Sequence, residues 1–143
     1  MATVTVFAPP GTVRLVNFDG AGNPLVRFGT QGNAIDAHGG EIERFGETYY
    51  LYGEHYSCGF EWKNASSPFC GFRVYSSENL VDWVDRGPLF DPSSTYWQTR
   101  CSPGPMAADY GCFRPHVAYN PSTRKYVLWI NGYGVPINFQ VFE

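Results

Sequence analysis

The chain has 143 residues, carries a formal charge of −3 and is 43% hydrophobic and 17% aromatic, with 16 glycines and 11 prolines. That length suits one domain with a core of its own, and the turn-rich, aromatic-rich mix argues against long helices and for an all-β protein of short strands. The acidic balance leaves no basic footprint for nucleic acid, no segment approaches the ~18 apolar residues of a membrane span, and no Lys/Arg-rich amphipathic stretch offers itself to a membrane surface, so no nucleic-acid or membrane partner is expected.

Residues 1–33 read as an irregular segment with candidate edge strands at Val4–Phe7 and Val13–Asn17 and a turn at Gly20-Ala21-Gly22-Asn23-Pro24. The first seven residues have neither a basic start nor a long apolar run, so no signal peptide is visible. The chain is then either cytoplasmic or stripped of its signal. A short strand at Gly40–Phe45, a turn at Gly46-Glu47 and an aromatic-rich strand at Thr48–Glu54 follow. Beyond the long His55–Cys70 loop come a strand at Phe72–Ser76, a turn at Asn79-Leu80 and a strand at Val81–Val84. Four antiparallel strands in succession make one propeller blade.

A second loop, Phe90–Gly111, is too long for a plain connection. After it the pattern returns. Tyr126-Val127-Leu128-Trp129-Ile130-Asn131 echoes Tyr49-Tyr50-Leu51-Tyr52-Gly53-Glu54, and Phe139-Gln140-Val141-Phe142-Glu143 echoes Phe72–Ser77. Strands are expected at Pro115–Tyr119, Lys125–Ile130 and Phe139–Phe142, and the last residue, Glu143, precedes any counterpart of Asp82–Gly87. The expected fold is therefore an all-β partial β-propeller of about two four-stranded antiparallel blades in residues 34–143. Blade one spans 40–87 and an incomplete blade two spans 114–143. Its open edges favour completion as a homo-oligomer.

Cys58 and Cys70 bracket one loop, Cys101 and Cys112 another, and four cysteines allow three pairings. Bridged locally, each pair contributes roughly 2–3 kcal/mol; free thiols are the other reading. Bridges would favour an extracellular or periplasmic location, which is otherwise undetermined. With no C-x-x-C, zinc is not expected, nor is any other metal or cofactor. Asn64-Ala65-Ser66 fits a glycosylation sequon.

Several side chains carry chemistry. Asp36 and His38, two apart at a strand end, point the same way and suit a catalytic or sugar-binding pair, or else a turn Asp and a capping His. Gly39-Gly40 permits close backbone approach or marks a bulge. His116 can hydrogen-bond a hydroxyl or sit buried and satisfied. Arg114 can fork onto a sugar or form a structural bridge to Glu54. Trp97 and Tyr96 can stack on a sugar face or pack their loop down. Glu41 reads as solvated, and Trp83 and Trp129 as core.

Five motifs, in order and spacing, resemble the N-terminal part of glycoside hydrolase family 43, in its exo-β-1,3-galactanase and arabinofuranosidase-like branch. They are Ala37-His38-Gly39-Gly40-Glu41-Ile42, Tyr49–Glu54, Val74–Trp83, Arg114–Asn120 and Lys125–Trp129, and the resemblance covers about residues 33–143. It implies a five-bladed propeller that hydrolyses arabinose- or galactose-containing glycans with inversion, its acid and base about 6.5–9.5 Å apart. The family's usual base falls at Gly39, which the galactanase-like branch also lacks, with Asp36 three residues upstream. The carboxylate that tunes the acid falls at His116 or, in that branch, at Phe113. The general acid belongs to a third blade. The resemblance thus implies a carbohydrate ligand and a glycoside-hydrolase-like propeller fragment inactive alone. Its catalytic candidates are Asp36 and His116, and its substrate-binding candidates are His38, Arg114, Trp97 and Glu54. The alternatives are a non-catalytic carbohydrate-binding module and a structural, oligomerising one.

Overall fold

The computed structural model describes residues 15–61, 68, 70–89, 112–132 and 138–142. The candidate strand Val4–Phe7, the sequon, Tyr96, Trp97 and Cys101 lie outside these residues. Among the described residues there are seven strands: β1 (His38–Phe45), β2 (Thr48–Glu54), β3 (Phe72–Ser77), β4 (Val84–Pro88), β5 (Cys112–Asn120), β6 (Lys125–Gly132) and β7 (Asn138–Phe142). They form two antiparallel sheets in sequential order, β1-β2-β3-β4 and β5-β6-β7, with no helix among the described residues. Two such meanders, packed through β1 and β2 against β5, are successive blades of a partial β-propeller.

The core lies between the blades. Tyr52 and Phe72 from the first sheet meet Cys112, Val117, Leu128 and Ile130 from the second, and Phe45, Tyr50, Val74 and Leu89 pack around them. Each aliphatic or phenyl side chain so buried contributes about 1.5–3 kcal/mol. At the lower end of the seam the Phe45 ring meets Tyr126 edge-on at 5.0 Å.

Each blade's inner strand bulges at the same point. The β1–β2 register slips between His38 and Glu41, across Gly39-Gly40, and the β5–β6 register slips between Phe113 and His116, across Arg114-Pro115. The first residue of each bulge has positive φ, +58° at Gly39 and +54° at Arg114. Glycine takes that conformation freely, whereas arginine does so at a cost. The two bulges make Gly39 equivalent to Arg114 and Glu41 equivalent to His116.

Several expectations are corrected. The fourth strand is Val84–Pro88, not Val81–Val84. Leu80 has φ 64°, and the Asn79 side-chain oxygen accepts the N–H groups of Val81 and Asp82, so polar side chains hold this segment in a turn. Residues 15–17 of the expected Val13–Asn17 strand lie in no strand. Instead two similar turns follow one another ten residues apart, closed by bridges Phe18 to Pro24 and Phe28 to Ala34. Trp83 is buried as expected, but Trp129 is 43% exposed. Trp129 pairs with His116 and Val141, on the opposite face of the second sheet from Leu128 and Ile130. Glu41 is not simply solvated. Its Oε1 accepts a hydrogen bond from Tyr52 Oη, pairs with His116 Nδ1, and accepts the Val117 N–H at 3.2 Å.

Candidate functional site

The strands of blade one open at one end onto a cleft of about 470 Å³ lined by Asp36, His38, His55, Ser57, Arg73 and Asp85. A wider cleft of about 530 Å³ lies towards the Gly46 turn, between Phe45 and Tyr119. The first has the denser polar chemistry.

Asp36 is held rigidly just before β1. Its backbone N–H donates to Tyr75 Oη at 3.0 Å, and its Oδ2 accepts the N–H groups of Tyr56 at 3.0 Å and Ser57 at 2.9 Å. Its carboxylate sits between two imidazoles, with His38 Nε2 at 3.5 Å from Oδ1 and His55 Nε2 at 3.6 Å from Oδ2. His38 is 60% exposed, whereas Asp36 and His55 are each 17% exposed, so the cluster has one open and two sheltered members.

His55 enters as β2 ends, where its N–H extends the ladder to Gly71 O at 3.0 Å. Its Nδ1 faces Cys70 O at 3.2 Å. A carbonyl can only accept, so Nδ1 carries the hydrogen and Nε2 is free to accept from the Ser57 hydroxyl beside it. Rings pack behind His38. His38 lies against Tyr56 at 4.7 Å, and Tyr56 stacks on Phe60 at 4.9 Å. Burial, and then the charges of Glu54 and Asp36, raise the Tyr56 phenol above its ordinary value. At the back, Arg73 forks onto Asp85, with Nε at 3.0 Å and Nη2 at 2.6 Å from Oδ2. Burial by itself would raise Asp85; the Arg73 fork and the Gly87 N–H together outweigh it, and the carboxyl is held below its usual range.

Glu54 lies beneath the Gly39 bulge and is 4% exposed. A Cβ at position 39 would come within 2.5 Å of Glu54 Oε2, so glycine leaves the room this carboxyl occupies. Its Oε1 accepts the backbone N–H of Arg114, which is how the strained bulge of blade two is tied to blade one. The bridge to Arg114 thus runs through the main chain rather than a guanidinium fork. Burial raises the Glu54 carboxyl above its ordinary 4.5, with the Arg114 N–H working the other way.

A raised folded value means that Glu54 favours the folded state in full below pH 4.5 and loses that advantage as pH climbs through the raised value. Glu54→Gln keeps the acceptor and removes the buried charge. Urea unfolding of this variant is therefore expected to show a flatter stability profile above pH 4.5 than wild type, with the two profiles converging in acid. A parallel offset at every pH would contradict this account.

The expected site residues fall into three groups. Asp36 and His38 meet, and His55 joins them. Glu54 and Arg114 meet at the seam. His116 joins neither group, because it pairs with Glu41, whose Oε1 also receives Tyr52 Oη. His55, Tyr56 and Ser57 were not among the sequence candidates; the one local sign of them was Glu54-His55-Tyr56-Ser57 at the close of the aromatic strand. Cys58 and Cys70 form a disulfide with a Cα–Cα distance of 5.6 Å, and Cys112 is also disulfide-bonded. Among the described residues, no cluster of three His, Cys, Asp or Glu side chains has the geometry to hold a metal ion.

Blade topology, paired bulges and a polar cleft at the strand ends together define a glycoside-hydrolase-like propeller, and the fold is that of glycoside hydrolase family 43. An exo-β-1,3-galactanase from Clostridium thermocellum is 31% identical over 76% of this chain, with a TM-score of 0.57. One from Phanerochaete chrysosporium, solved with β-1,3-galactotriose, is 25% identical over 83% of the chain, with a TM-score of 0.56. A GH43 β-1,3-galactosidase holding galactodeoxynojirimycin is 27% identical over 82%, with a TM-score of 0.52. The chain spans 20%, 29% and 33% of these three proteins respectively. No family profile and no curated protein sequence matches it.

Proposed function

We propose that this chain binds a galactose- or arabinose-containing glycan in the Asp36 cleft and does not by itself hydrolyse it. The observation that carries the reading is an anchored carboxylate between two imidazoles, facing an open cleft that Arg73, Tyr75 and Asp85 also line. A carboxylate and imidazole nitrogens suit the hydroxyls of a neutral sugar, which both donate and accept hydrogen bonds. Asp36 and His38 are assigned to the sugar, while Glu54, buried at the seam and accepting the Arg114 N–H, ties the two inner strands that frame the cleft. His116 acts across the seam through Glu41. An inverting hydrolase needs a proton donor opposite its base, and the resemblance places that donor in a blade beyond the matched region.

Titration calorimetry with β-1,3-galactotriose is expected to give saturable binding, while incubation with galactan or aryl arabinofuranosides releases no sugar. Absence of binding refutes the ligand; release of sugar refutes the silence.

A second reading, self-association, is favoured by the exposed Trp129 and Val141 on the outer face of the second sheet. Light scattering is expected to report a mass above the 16.0 kDa of one chain, and Trp129→Lys to restore a monomer. A monodisperse wild-type monomer would remove this reading.

A further inference from the structure

We propose that the Cys58–Cys70 disulfide is a redox control on the Asp36 cleft, and that a dithiol reductant loosens the cleft by opening this bond. The inference deepens the carbohydrate reading and rests on it for the ligand.

The bridge acts on both sides of the cluster at once. Cys58 belongs to the turn that follows Tyr56 and Ser57, whose N–H groups hold Asp36 Oδ2. The same turn presents the Tyr56 ring to His38 and the Ser57 hydroxyl to His55. Cys70, at the other end, supplies the carbonyl that fixes the His55 ring through Nδ1. The β2–β3 ladder reaches only as far as His55 N to Gly71 O. Beyond that point, the turn bonds Gly59 and Phe60 N–H back to its own Tyr56 carbonyl. A covalent tie from the turn to the residue beside the ladder's end therefore fixes the spacing between the Asp36 donors and the His55 orienting carbonyl.

The bond is also approachable from one side. Cys58 is exposed, whereas Cys70 is 5% exposed. A reductant thiolate attacks Cys58 Sγ, the S–S bond breaks, and Cys70 leaves as a thiolate that takes up a proton. The reductant's second thiol then displaces Cys58, leaving two protein thiols and an oxidised, cyclic reductant. Two electrons pass from dithiol to disulfide, and the ladder below remains paired.

The test compares wild type with a Cys58→Ser/Cys70→Ser double variant, which leaves the Cys112 bridge intact, and adds dithiothreitol-treated wild type as a third sample. Amide exchange at Tyr56 and Ser57 is expected to quicken by at least about tenfold in the variant and in the reduced protein, while Tyr52 and Tyr75 in the ladder keep their protection. Galactotriose affinity is expected to fall by about tenfold alongside. Unchanged exchange at Tyr56 and Ser57 overturns the inference. Loss of protection throughout the ladder overturns it too, because the bridge is then a staple for the whole sheet. Failure of oxidised wild type to bind galactotriose overturns the carbohydrate reading instead, and the exchange data still decide the coupling.

Discussion

Gly40→Ala is expected to disrupt the first blade and to be the most damaging single methyl in the described part of the chain. A Cβ at this position would lie 1.6 Å from Tyr52 O and 2.5 Å from Tyr52 C. No rotamer relieves this clash, because Cβ is fixed by the backbone and the atoms it meets are backbone too. Either β1 lifts off β2 or the bulge is lost, and both undo the placement of His38 above Glu54. Overpacking on this scale costs about 3–5 kcal/mol. Differential scanning calorimetry is expected to show a fall in Tm of roughly 6–20 °C, taking roughly 2–4 °C per kcal/mol for a chain near 150 residues. Gly46→Ala is the control. Its φ of +63° disfavours alanine, but nothing lies within 4 Å of the added methyl, so its cost is about 1 kcal/mol. If the two variants melt together, the close crossing of β1 over β2 is not as described.

Asp36→Ala is expected to weaken sugar binding by roughly tenfold or more with the sheets intact. The substitution removes the acceptor for the Tyr56 and Ser57 N–H groups and the anion between His38 and His55. Hydrogen bonds to a charged acceptor are worth about 1.5–3 kcal/mol each. The loss of even one, felt through the positioning of the cleft, weakens binding by roughly tenfold or more. Asp36→Asn separates the two roles. The amide oxygen can still accept from the turn, so local stability is largely kept, while the charge facing the imidazoles is gone. Calorimetry is expected to rank affinity as wild type, then Asp36→Asn, then Asp36→Ala, with the unfolding midpoint of the Asn variant close to wild type. Equal affinity in all three would remove Asp36 from the site.

Much of the fold was legible in the chain. Alternating aromatic strands separated by Gly- and Asn-rich turns announce a meander, and the echo of Tyr49–Glu54 in Tyr126–Asn131 announces a second one. The Asp36–His38 pair was legible for the same local reason, since residues two apart on an extended segment share a side. Val81 and Val84 look strand-like and suggest an early fourth strand, while the hydrogen bonds of Asn79 that override them depend on a particular turn. Size and hydrophobicity alone suggest a core position for Trp129. Which face of β6 a residue occupies is set by pairing with β5, not by its own hydrophobicity.

By itself, the sequence determined the strand order, the repeat and the adjacency of Asp36 and His38, because each follows from periodicity and spacing within a few residues. Only the tertiary structure decided that Glu41 meets His116, that Glu54 receives the Arg114 N–H, and that His55 closes on Asp36. Those partners lie 75, 60 and 19 residues apart. They meet because two bulged inner strands pack side by side and because β2 returns antiparallel to β1. Contacts of that kind depend on register and packing, which no local pattern of side chains encodes.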